Sequence, residues 1–180
     1  IKVSVLGDSA TQFLIQALRG AGYDEGYDLQ IQEADFNQID LQVFDPASEL
    51  YEYKPELVII FQSAHKLLGK YNKLAPSEHG AFASNELNRI QSLNQAIQGN
   101  LHAKVIFYNF TEIDDSVFGN YANKISASFI FQLRKLNVEL MQFAVENPSF
   151  YLCDLSAIQN QVGRKSFFHS SVYINTEMVL

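Results

Sequence analysis

The sequence predicts an α/β fold, a five-stranded parallel sheet with helices on both faces. Three observations carry that expectation. Residues 57–61 (Leu-Val-Ile-Ile-Phe) and 105–108 (Val-Ile-Phe-Tyr) are uninterrupted apolar runs, the pattern of strands covered on both faces. Between such runs lie segments whose apolar residues recur at steps of three and four, the helical period. The two kinds alternate along the whole chain without internal repeat or low-complexity linker, and strands separated by helices require a parallel sheet.

Taken in order, the chain begins with a short apolar run ending in Gly7-Asp8-Ser9. Phe13, Leu14, Ala17 and Leu18 then mark a first helix, with Gly20 and Gly22 as its expected close. Leu29, Ile31 and Ala34 alternate with polar residues and read as a second strand towards one side of the sheet. That strand ends at Asp35-Phe36-Asn37, where Asn37 tolerates a positive φ. Residues 38–54 read as a short helix and connection, with a turn at Asp45-Pro46. The central strand follows and gives way to Gln62-Ser63-Ala64-His65.

Residues 66–84 have the weakest pattern, with Leu67, Leu68, Tyr71 and Leu74 suggesting one or two helical turns. Leu87, Ile90, Leu93 and Ile97 mark a longer helix closed by Gly99-Asn100. The fourth strand leads into Asn109-Phe110-Thr111. The longest helix is expected over residues 120–146, where Ile125, Phe129, Leu133, Leu136, Leu140 and Ala144 share a face; Asn147-Pro148 stops it. Residues 150–153 form the last strand, and Asp154-Leu155-Ser156 opens another helix ending at Gly163. The tail around Phe167, Phe168, His169, Tyr173 and Ile174 is apolar enough to pack but has no clear period.

Length and composition bound the function. At 180 residues, 47% apolar and 18% charged, the chain is one globular domain. A net charge of −7 and a pI near 5.0 argue against a nucleic-acid partner. No apolar run approaches the roughly 20 residues of a membrane span, and no signal peptide is visible. The single cysteine, Cys153, fits a reducing compartment, so a cytoplasmic location is expected. The chain starts at Ile1 and stops at Leu180 inside a readable segment, which suggests a piece of a longer protein. No pattern selects an oligomeric state.

In open parallel sheets, sites form at the carboxyl ends of the strands. The topology therefore directs Gly7-Asp8-Ser9, Asp35 and Asn37, Gln62-Ser63-His65, Asn109 and Asp154 to one crevice. Gly7 permits a tight bend. Ser9 has two readings: an N-cap, like Asp8 beside it, satisfying the first N–H groups of the helix, or a nucleophile on a strand-to-helix turn. His65 and His169 each read either as a packed or surface ring or as a general base. His79 and His102 read as solvated, and Cys153 as a small core residue. The histidines have no ligand spacing and Cys153 has no partner, so no metal site is expected in this chain. There is no Gly-Lys-Ser/Thr after Gly7, which excludes a Walker loop.

Val5-Leu6-Gly7-Asp8-Ser9 resembles the first block of the SGNH (GDSL-type) hydrolases, esterases with a flavodoxin-like, three-layer sheet sandwich. Further segments resemble the amino-terminal domain of FkbH-like proteins: residues 33–38 (Glu-Ala-Asp-Phe-Asn-Gln), 44–50 (Phe-Asp-Pro-Ala-Ser-Glu-Leu), 132–140 (Gln-Leu-Arg-Lys-Leu-Asn-Val-Glu-Leu) and 153–159 (Cys-Asp-Leu-Ser-Ala-Ile-Gln). Each segment is weak alone, but together they span residues 3 to about 175. In that family an SGNH-like domain precedes a phosphatase-like domain of the haloacid-dehalogenase type. The resemblance implies that the second domain lies beyond Leu180, and that Mg²⁺ belongs to it.

Residue by residue, the resemblance gives Ser9 the nucleophile position, with its own N–H and neighbouring groups stabilising an oxyanion. Asn37 is the nearest candidate for the second block, which normally supplies a glycine. The third block, Gly-x-Asn-Asp, maps Ser63 onto the glycine and His65 onto the asparagine. The last block, Asp-x-x-His, is absent: Asp154 is present, but the next histidine is His169.

Two functions follow as expectations. In one, the domain retains the fold without the chemistry and binds an acyl substrate or an acyl-carrier protein beside the phosphatase-like domain. Relatives are implicated in loading three-carbon glyceryl units from a phosphorylated precursor onto carriers. In the other, it is an active acyl hydrolase or acyltransferase: Ser9 attacks, His65 or His169 is the base, and Gly7, Asp8, Asn37, Ser63, Asn109 and Asp154 form the oxyanion and substrate-binding set. A purely structural or dimerising domain is the plainer possibility. The altered third block and the missing last block favour binding.

Overall fold

The computed structural model describes residues 1–113 and 115–176. Residues 177–180, where the sequence reading places an interruption of the chain, lie outside the described residues. The strands are β1 (Lys2–Gly7), β2 (Gln30–Glu33), β3 (Leu57–Phe61), β4 (Lys104–Tyr108) and β5 (Phe150–Cys153). All pair in parallel in the order β2-β1-β3-β4-β5. The helices are α1 (Gln12–Asp24), α2 (Ile39–Phe44), α3 (Glu49–Tyr53), α4 (Ala64–Tyr71), α5 (Phe82–Leu101), α6 (Phe129–Glu146), α7 (Leu155–Val162), α8 (Arg164–Phe167) and α9 (Ser170–Thr176). Two 3₁₀ turns, Pro76–Ala81 and Gly119–Lys124, precede α5 and α6.

Side-chain alternation on the strands divides the core between two faces. Leu6, Val58, Ile60, Val105 and Phe107 point to the larger layer, with Leu67, Ile90, Leu93, Ile97, Phe129, Leu133 and Leu136 from α4, α5 and α6. Val3, Val5 and Ile59 face the other way, against Ile15 of α1. On the same side, Phe61 and Leu155 gather Tyr108, Phe167, Phe168 and Tyr173. The tail thus packs through its aromatic residues as two short helices. β2 lies at an edge, as its alternating pattern implied.

Several helix ends differ from the sequence expectation. α1 runs through Gly20 and Gly22, and the left-handed residue beyond it is Gly26, at φ 78°. Gly22 is needed for space: a Cβ there would lie 2.6 Å from Leu29 Cδ1. α5 passes Gly99 and ends where His102 takes the left-handed conformation. The longest helix starts at Phe129 and not near residue 120, because buried Ser128 caps it, accepting the Phe131 N–H at 3.3 Å and donating to the Ala122 carbonyl at 2.8 Å. Residues 38–54 form two helices, with the Asp45 carboxylate accepting the Ala47 N–H at 2.9 Å in the turn between them.

The sheet order sets the site. From β1 the chain moves outward to β2 and then returns to pair β3 on the other side of β1. The reversal leaves a crevice at the carboxyl ends of β1 and β3, the switch point at which open α/β sheets bind ligands.

Candidate functional site

β1 ends at Gly7, and the backbone continues its pairing for one residue, the Asp8 N–H donating to the Phe61 carbonyl at 3.2 Å. Gly7 has no positive φ; its role is close approach, since a Cβ would meet Thr11 Cγ2 at 2.6 Å and the Ser9 carbonyl at 3.0 Å. The Gly7 carbonyl accepts the N–H of Asn37, which takes the left-handed φ of 61° its residue type tolerates. α1 starts only at Gln12 with Thr11 at its N-cap position. Neither Asp8 nor Ser9 caps it, so the capping reading does not hold.

Ser9 is 1% exposed, and its hydroxyl donates to Asp8 Oδ1 at 3.0 Å. The same oxygen accepts the Ser63 N–H at 2.8 Å. Burial lifts the Asp8 carboxyl to a pKa of about 6, against the opposing pull of the Ser63 and Ser9 hydrogen bonds and of Lys70 and Lys66. Ser63 is itself buried and caps α4, its Oγ accepting the His65 N–H at 3.1 Å. A short network of Ser9, Asp8, Ser63 and the His65 backbone therefore ties β1 to the start of α4.

The His65 ring stacks on Phe168 with centroids 4.1 Å apart and lies against Tyr173 at 4.9 Å. Its Nδ1 is buried without a hydrogen-bond partner among the described residues, and burial holds its pKa below the ordinary histidine value. Among the described residues, no histidine nitrogen hydrogen-bonds the Ser9 hydroxyl.

Asp8, Asn37 and His65 line one crevice of 720 Å³. Ser9 and Ser63 are buried and do not line it. Asn109 and Asp154 form a separate unit: Asn109 Nδ2 donates to Asp154 Oδ1 at 2.7 Å, Asn109 Oδ1 accepts the Ser156 N–H, and Asp154 caps α7 through the Ala157 N–H. They border a different depression, beside Met141 and Tyr151. His169 is exposed, its carbonyl accepting the Tyr173 N–H. The sequence-predicted residues thus divide between the crevice, the buried network behind it, the β4–β5 edge and the tail.

The sequence reading missed the basic wall of the crevice. Lys66, Lys70 and Lys73, spaced four and three apart along α4 and just past it, line it together with Arg89 from α5. Arg89 donates to both Asp40 oxygens, at 2.6 and 3.2 Å, and to Gln62 Oε1 at 3.3 Å. Lys70 pairs with Glu86 at 3.3 Å. The signal was the lysine spacing directly after His65.

Two other expectations change. His79 is not solvated: it stacks on Tyr71 at 3.9 Å with Nε2 buried and unpartnered among the described residues. Cys153 is half-buried at the sheet edge, and burial raises its thiol pKa. No group of three His, Cys, Asp or Glu side chains that could hold a metal ion occurs among the described residues. No described helix is long and apolar enough to cross a membrane.

Comparison with known proteins follows the geometry. The acetyl xylan esterase AlAXEase superposes with a TM-score of 0.54 at 16% identity, over 92% of this chain and 85% of that one. TesA gives 0.57 at 18%, over 95% and 87%. With the parallel five-stranded sheet, these matches show an SGNH hydrolase-like, flavodoxin-like fold. The N-terminal part of the protein BF1531 from Bacteroides fragilis, described as containing a phosphatase domain and complexed with Mg, superposes with a TM-score of 0.94 at 41% identity. All of this chain is covered but only 47% of that one, so the chain spans about half the length of that structure. No curated protein matches the chain. The family model of the FkbH N-terminal domain matches residues 2–180, and with that match the chain belongs to the FkbH N-terminal domain family.

Proposed function

We propose that this is a hydrolase fold that serves binding: it holds an acyl-bearing ligand, free or on an acyl-carrier protein, in the crevice at the β1–β3 switch point. The ligand is presented to a phosphatase-like domain of the haloacid-dehalogenase type downstream, where Mg²⁺ chemistry belongs, in a cytoplasmic protein. The observation that carries this reading is the state of Ser9. A serine nucleophile needs a base within hydrogen-bond reach and an open path to the substrate. Ser9 is buried and its proton is directed to Asp8. The Asp-x-x-His position three residues after Asp154 holds Ala157, whose N–H is part of a helix cap.

A second reading has one observation in its favour. Gly7-Asp8-Ser9 is complete and stands at the carboxyl end of β1, where an acyl hydrolase would use Ser9, with His65 or His169 as base. The test is a fluorophosphonate probe, read by intact mass with Ser9→Ala as control. No adduct supports the binding reading. An adduct lost in Ser9→Ala replaces it with the hydrolase reading.

A further inference from the structure

The chain carries 13 lysines and arginines against 20 aspartates and glutamates. Four of those cations, Lys66, Lys70, Lys73 and Arg89, line a single crevice. Its own lining supplies two carboxylates, Asp8 and Asp40, and Glu86 lies behind Lys70 and Arg89. A positive concavity on a negative protein is a local reversal of sign, and low-dielectric walls focus such a field. The reversal acts at the switch point itself, because Lys70 and Lys66 lie near enough to Asp8 to draw its carboxyl towards ionisation.

The cations are not equally committed. Arg89 is held by Asp40 and Gln62 and shapes the wall. Lys70 meets Glu86 from a half-exposed position. The Lys73 ammonium has no ion-pair partner among the described residues. Between Lys66 and Lys70, Gly69 leaves a stretch of bare helix in the lining, with no atom within 4 Å of where a Cβ would stand. Opposite in character, Ile39 and Leu41 give the crevice an apolar portion. The volume of 720 Å³ falls within the range of small-molecule pockets.

We infer that the crevice is a site for a small organic anion. Lys70 and Lys73 take its charged head, a phosphate or a carboxylate, and its carbon skeleton lies towards Ile39 and Leu41. Lysines meet such groups as point charges without demanding one planar geometry. The concave shape favours a small molecule over the flat acidic face of a protein. This inference deepens the binding reading above and rests on it only for the location of the ligand.

Calorimetric titration of the protein with phenyl phosphate, benzoate, benzyl alcohol and polyglutamate tests it. Saturable binding of phenyl phosphate or benzoate is expected, with the stronger of the two naming the head group and benzyl alcohol not binding. The double variant Lys70→Gln/Lys73→Gln should weaken it by about tenfold or more. Raising salt should weaken it further, and Lys124→Gln, on the 3₁₀ turn before α6, should leave it unchanged. Gly69→Leu fills the bare stretch without removing a charge and should also abolish binding; a thermal melt of each variant verifies its fold. Absence of saturable binding by both anions, equal binding of benzyl alcohol, or an equal loss in Lys124→Gln overturns the inference, as does binding confined to polyglutamate. A fluorophosphonate adduct on Ser9 in the same preparation would defeat the non-hydrolytic reading alone, leaving the anion site to the titrations.

Discussion

The Ser9 hydroxyl donates to the Asp8 carboxylate at 3.0 Å, and both side chains are buried at the end of β1. An acid placed there is costly to ionise, and the hydrogen bonds from Ser9 and Ser63 offset only part of that cost.

The Asp8 pair therefore has a pH signature. Its pKa rises from the usual 3.8 to about 6 on folding, so between those values the folded state binds more protons than the unfolded state. Stability falls as pH rises through that window and stays lower above it. Asp8→Asn removes the ionisation, and wild type should lose roughly 2–3 kcal/mol relative to this variant between pH 3.5 and pH 7. Urea unfolding at both pH values measures it; a constant difference would contradict the buried acid.

Phe168 covers the His65 ring at 4.1 Å. Burial holds the histidine pKa below 6.5. Phe168→Ala admits water to one face, so the pKa should move up towards 6.5. An NMR titration of the His65 ring protons reads the midpoint directly, and an unmoved midpoint would assign the burial to other neighbours.

The two glycines inside α1 should respond with opposite signs. Gly20 is exposed with nothing within 4 Å of a built Cβ, and Gly20→Ala should stabilise by about 0.5–1 kcal/mol. At Gly22 the added carbon would stand 2.6 Å from Leu29 Cδ1 and 2.8 Å from Cγ, so Gly22→Ala should destabilise. Thermal melts of the pair decide it.

Ser128 is buried and makes two hydrogen bonds at the start of α6, one to each side of the 3₁₀-to-helix junction. Ser128→Ala should cost about 1–2 kcal/mol. Chemical denaturation measures the loss, with Ser128→Thr, which keeps the oxygen, as the milder comparison.

The sheet was legible in the sequence because β3 and β4 bury both faces and must be apolar throughout. Asn37 was legible because few residue types tolerate its backbone conformation. Helix ends were not, since a glycine inside a helix and one beyond it look alike until tertiary space is known: Gly22 yields to Leu29, whereas His102 turns left-handed without glycine's freedom. The polar cluster split for a similar reason. Asn109 and Asp154 do reach the carboxyl edge, but on neighbouring strands they satisfy each other before any ligand can. The basic wall was hidden because Lys66, Lys70 and Lys73 read locally as a solvated helix face. They meet Arg89 only through the packing of two helices, which no local period encodes.

The position of β1 also affects how the protein is made. It lies inside the sheet, and its neighbour β3 is far along the chain: the Lys2 N–H reaches the Glu56 carboxylate 54 positions away. At ribosomal speeds of about 5–20 residues per second, the first strand waits several seconds for that partner to emerge. During that interval only β2, a four-residue edge strand, can pair with it. Vectorial synthesis thus exposes the segment bearing Val3, Val5 and Leu6 before its β3 cover exists.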